Sequence, residues 1–248
     1  MARGGFGRTG GRVLDFLESF EDVTWAATSV NLGDGWFMVS ENQGTIQQVT
    51  DEPNGVIQFL TAASDDDNVA LLSGLYRPAD GELNFEARFK VADDILNTAI
   101  YAGFTETLAL GTPVMPAEFV TTTMTYRGTG GMTGFNWDSD ATDNDFRALM
   151  GDGGAAVAGS GDGTRLNKGA WVVNEYAVLQ VALGPSGSSI CRAGITDNNE
   201  LSIVDTFTEG LTNTDLVYDI LMCETRTGAA LEFEVDYVYA SGGRNWAV

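Results

Sequence analysis

The strongest constraint in this chain is a period of two. In Leu83-Asn84-Phe85-Glu86-Ala87-Arg88-Phe89-Lys90-Val91 every odd position is apolar and every even one polar. Near the end Leu231, Phe233, Val235, Tyr237 and Tyr239 alternate with Glu232, Glu234 and Asp236. A strand sends successive side chains to opposite faces, so each segment buries one face and wets the other. Weaker strands are predicted at 36–41, 45–50, 56–61, 69–73, 99–105, 119–123, 132–137, 146–150, 172–183, 189–195, 201–205 and 216–224. Turn clusters separate them, among them Asp80-Gly81, Gly161-Asp162-Gly163 and Gly184-Pro185-Ser186-Gly187. Short strands with no helices alternating between them predict an all-β antiparallel β-sandwich of the jelly-roll type. The spacing of Val13, Phe16, Leu17 and Phe20 predicts one or two helical turns ahead of it.

Charge is placed unevenly. Arg3, Arg8 and Arg12 fall in the first twelve residues, which hold no acid, while the whole chain of 248 residues carries a net charge of −22. Residues 1–12 therefore read as a flexible basic arm, and residues 13–248 as a single sandwich domain. The three arginines are the candidate partner-binding residues, docking on an acidic neighbouring subunit. An acidic body repels phosphate, so neither nucleic acid nor anionic membrane is an expected partner. No apolar run approaches a membrane span, and the first ten residues lack the apolar core of a signal peptide, so synthesis in a cytoplasm is expected.

The chain contains no histidine. That excludes Ser-His-Asp and Cys-His nucleophiles, His-ligated zinc and the commonest general base. Cys191 and Cys223 sit in apolar stretches and read as buried free thiols, with one bridge as the alternative. Glu232, Glu234 and Asp236 invite a glycosidase reading, but on an alternating strand they share one wetted face. No catalytic residue is assigned, and the chain is read as not an enzyme. Asp138, Asp140, Asp143 and Asp145 gather four carboxylates in eight residues, a weak calcium candidate that lacks the Gly and closing Glu of an EF-hand. Asp65-Asp66-Asp67 is a second acidic tip. The glycine-rich 151–154 and 159–164 segments lack the Lys of a phosphate-binding loop and read as mobile loops. Trp36 and Trp171 read as packing residues, and Trp137 and Trp246 as freer to touch a ligand.

Leu83–Val91, Trp171–Leu183 with its Gly184-Pro185-Ser186-Gly187 turn, and Glu234–Tyr239 together resemble the strands of concanavalin-A-like sandwiches, a class including legume lectins, laminin-G-like modules and laminarinase-type glucanases. Where the glucanase strand carries its second Glu, Tyr239 stands here. Within that class, residues 136–148 resemble virion structural proteins of tailed bacteriophages. That resemblance implies a capsid decoration or cement protein on the virion surface, homo-oligomeric and by expectation trimeric, with the major capsid protein or another virion subunit as partner and no required cofactor. The alternative is a carbohydrate-binding, lectin-like module using Trp137 and the 138–145 loop with calcium.

Overall fold

The alternation over Leu83–Val91 becomes a strand in which every odd residue is buried and every even one half-buried. It belongs to a computed structural model that describes residues 10–14, 25–26 and 29–242, apart from 34, 43, 50–54, 107, 109–112, 129, 144, 158–160, 169, 196–199, 209–210 and 213. In chain order the strands are β1 (Gly10–Leu14), β2 (Trp25–Ala26), β3 (Ser29–Gly33), β4 (Trp36–Ser40), β5 (Thr45–Gln48), β6 (Ile57–Leu60), β7 (Asn68–Tyr76), β8 (Leu83–Val91), β9 (Thr98–Thr105) and β10 (Ala117–Val120). They continue with β11 (Thr123–Tyr126), β12 (Met132–Asp138), β13 (Arg147–Asp152), β14 (Ala155–Ala156), β15 (Thr164–Arg165), β16 (Ala177–Leu183), β17 (Ser189–Ile195), β18 (Ser202–Phe207), β19 (Val217–Thr225) and β20 (Glu232–Gly242). Among the described residues, helix is limited to single 3₁₀ turns at Pro78–Asp80 and Ile95–Asn97, and no helix is long and apolar enough to cross a membrane.

One sheet runs β18-β17-β16-β8-β20-β6-β5-β2, the other β14-β13-β12-β9-β19-β7-β4-β3, and every pairing is antiparallel. The main core lies between them, with Phe85, Phe89, Leu179, Val181, Phe233 and Val235 facing Ile100, Phe104, Phe135, Trp137 and Leu221. A second apolar layer covers the other face of the β9 sheet. There Tyr101, Leu149, Ile220 and Met222 meet Met115 and, from the β10–β11 hairpin, Phe119, Met124 and Tyr126. Every residue of β9 is consequently buried, which is why its sequence shows no alternation. The two sheets thus differ in kind: one is covered on both faces around β9 and β12, and the β8 sheet keeps a wet outer face.

Several expectations need correction. The segment expected to begin a helical turn at Val13 is strand β1, while Phe16, Leu17 and Phe20 lie outside the described residues. β6 pairs β20 only over Glu232–Val235, and β1 takes over that edge from Val238 to Gly242. An open sheet edge offers a ladder of hydrogen bonds that one costly helical turn cannot match. Arg12, assigned to a free arm, lies in that strand opposite Ala240, whereas Arg3 and Arg8 are outside the described residues. The register of β20 shifts between Val235 and Tyr237, so Val238 and Ala240 are buried and Tyr237 and Tyr239 are half-buried. The extra residue of a bulge turns the strand over, which is why the simple alternation through Tyr239 fails.

Candidate functional site

Trp137, expected to be freer to touch a ligand, is instead internal, while Trp171 packs in the core as its place in an apolar segment suggests. Trp137 is 1% exposed, and its ring meets Trp171 edge-on at 5.6 Å. Trp171 also packs on Phe89 at 5.7 Å and Phe146 at 5.0 Å. Trp137 is therefore unavailable to a ligand, and Trp246 lies outside the described residues. The reason is position: residue 137 falls on the inward register of β12, paired to Ile100.

The loop carboxylates are engaged from within. Asp138 accepts the backbone N–H groups of Phe119 at 2.7 Å and Asp140 at 3.0 Å. It also meets the Arg226 guanidinium at 2.6 Å. Asp143 takes both oxygens to Arg147, at 2.7 and 2.8 Å, and one to Arg165 at 2.7 Å. Asp145 accepts Asn167 N–H at 2.8 Å, and burial raises its carboxyl above the ordinary range. Among the described residues no group of three or more acidic or thiol side chains is disposed to hold a metal ion.

Arg226, which sequence reasoning passed over, is the hub of this end of the sandwich. Its Nη1 lies 2.8 Å from Glu224, 2.9 Å from Glu118 and 3.2 Å from Asp66, while Nη2 holds Asp138. Its own N–H donates to Asn97 O at 2.8 Å, fixing the β19–β20 connection to the loop ahead of β9. Arg127 also pairs with Glu118, yet two guanidiniums cannot neutralise four carboxylates. Burial first, then the charges of Glu118, Asp66 and Asp138, outweigh Arg226 and push the Glu224 carboxyl up to about 8. Of the second acidic tip, Asp66 joins this cluster, and Asp67 is buried and accepts the Asn42 side-chain amide.

At the same end a groove of about 450 Å³ opens between residues 93–96 and 170–173. Its walls are stapled. Asp94 caps the 3₁₀ turn, accepting Leu96 N–H at 3.1 Å and the Asn97 amide at 2.6 Å. Asp93 accepts Glu232 N–H at 3.1 Å. Across the groove Trp171 Nε1 donates to Glu175 O at 2.7 Å, and Asn174, at φ 64°, donates its N–H to Val91 O. That turn is why the strand expected from residue 172 starts only at Ala177. Leu96 and Val172 stand on the rim, 69% and 54% exposed. A side-by-side pair of carboxylates and exposed aliphatics on a rigid frame offers hydrogen-bond acceptors beside an apolar surface.

Elsewhere the expected chemistry is occupied or buried. Glu234 pairs with Lys90 at 2.8 Å and Asp236 with Arg88, all on the outer face of the β8 sheet rather than in a cleft. Cys191 and Cys223 are free and buried, and burial pushes the Cys191 thiol up to about 12. Residues 151–154 form the tight β13–β14 turn, with Gly153 and Gly154 at φ 60° and 78°.

No family model and no curated protein matches the sequence. Solved structures do match in shape. A peanut lectin crystallised with a nine-residue peptide superposes with a TM-score of 0.54 at 12% identity, covering 90% of this chain and 98% of that one. The carbohydrate recognition domain of Emp46p, in a potassium-bound form, gives 0.52 at 10% identity over 85% and 90%. The VIP36 exoplasmic/lumenal domain, bound to Ca²⁺ and Man3GlcNAc, gives 0.51 at 11% over 89% and 90%. The chain has the legume-lectin-like, concanavalin-type jelly-roll fold.

Proposed function

We propose that the chain is a non-catalytic carbohydrate-binding module that takes sugar in the groove between residues 93–96 and 170–173. The carrying observation is that groove: a rigid recess of about 450 Å³ with Asp93 and Asp94 on one wall and Leu96 and Val172 at the rim. The carboxylates would accept sugar hydroxyls while the aliphatics cover a C–H face, the mix of apolar walls and a few placed polar groups that small-ligand sites use. Support also comes from the shared fold with the recognition domain of Emp46p and with sugar-bound VIP36. A flat, ion-paired outer sheet carrying Glu234 and Asp236 favours binding over hydrolysis.

A glycan microarray probed with the purified chain tests this reading. Wild type should bind a defined subset, and Leu96→Ser with Val172→Ser should lose it while melting as wild type does. A blank array together with saturable attachment to phage particles would instead favour the virion role suggested by residues 136–148, with its coat-protein partner, its trimer and its docking arm of Arg3, Arg8 and Arg12.

A further inference from the structure

Calcium or potassium accompanies some structures of this fold, so the donors here can be tested for fit. They do not fit an added cation. The oxygens that converge most closely, from Glu224, Glu118 and Asp66, already meet at Nη1 of Arg226 at 2.8, 2.9 and 3.2 Å. Asp138 is bound by Nη2 and by two backbone N–H groups. Asp143 is shared by Arg147 and Arg165. Calcium wants about 6–8 oxygens at about 2.3–2.6 Å, and the point where such oxygens gather is filled by nitrogen.

We infer that Arg226 is a built-in cation: its guanidinium stands where a metal ion would sit, and the loop end assembles without one. The four carboxylates come from four places, the loop before β7, β10, β12 and β19, and Asn97 ties in a fifth. A single fixed positive charge joins them, as a metal would, but it cannot be chelated away. The side chain is 9% exposed, so bulk salt screens these contacts weakly. This concerns the same end of the molecule as the proposed sugar groove, yet it stands whether or not a sugar binds there.

The experiment uses calcium and terbium as probes on the full chain. For wild type, melting in EDTA and in calcium should agree within about 1 °C, and titrated terbium should give no emission sensitised by Trp137, the neighbour of Asp138. Arg226→Met leaves the carboxylates facing one another, with Arg127 still on Glu118. It should melt lower in EDTA and recover several-fold more of that loss in calcium than wild type gains. A residue that merely packed would give the loss without the calcium rescue. If Arg226→Met does not fold in EDTA, its refolding yield with and without calcium is read instead, and rescue by calcium supports the inference. Loss of wild-type stability in EDTA, terbium emission abolished by Asp138→Asn, or an Arg226→Met chain indifferent to calcium would each overturn it. None of these readouts depends on the glycan array.

Discussion

At the scale of single residues, burial decides which charges matter. Glu224 is ion-paired to Arg226 and yet has its carboxyl pushed up to about 8, because burial, with the charges of Glu118, Asp66 and Asp138 added, outweighs that arginine. Between the ordinary carboxyl value of 4.5 and about 8 the folded chain holds a proton that the unfolded chain has released. Its contribution to stability is therefore complete below that window, falls as pH rises through it and stays low above it. Glu224→Gln cannot ionise. Urea unfolding should find it close to wild type at acid pH and more stable above the window, by roughly 1–3 kcal/mol. An unchanged pH slope in the variant would remove Glu224 from that role. The buried thiols give a simpler test. Cys191 and Cys223 should resist a thiol reagent in the folded chain and both react on unfolding.

Among strands, the tightest constraint is where two glycines face each other. Gly134 of β12 sits opposite Gly103 of β9, and a Cβ added at Gly134 would meet Ala102 O at 2.4 Å. Backbone cannot give way as a flexible side chain can, so Gly134→Ala should cost about 1–3 kcal/mol by urea unfolding. Trp171→Ala, emptying the aromatic cluster beneath the groove, should cost about 3–5 kcal/mol. Elements with one wet face were readable from the sequence: β8 and β17 begin and end where alternation and turn residues place them. The β10–β11 hairpin was not, since its turn is Thr121-Thr122, with Thr121 at φ 64°, and carries none of the usual glycine or asparagine. Arg226 was hidden for another reason. Its partners Asp138, Glu118 and Asp66 lie 88, 108 and 160 residues away, beyond what spacing along a chain can disclose.

For the whole molecule, the asymmetry of the two sheets assigns the surfaces. The β9 sheet is covered on one side by its partner and, over β9 and β12, on the other by the β10–β11 hairpin. The outer face of the β8 sheet is closed by cross-strand pairs, Lys90 with Glu234, Gln180 with Glu86 and Arg192 with Gln180. An apolar recess lined by Phe37, Leu72, Leu75 and Tyr218 stays open beside β4, β7 and β19, but the proposed sugar recess is at the loop end, where Arg226 clamps one side and the 93–96 and 170–173 walls form the other. The most direct measurement of that claim is amide hydrogen exchange with and without the array's strongest glycan, in EDTA throughout. Slowed exchange confined to residues 93–98 and 170–176 is the expected result. Protection on the outer face of the β8 sheet instead, or none until calcium is restored, would contradict it.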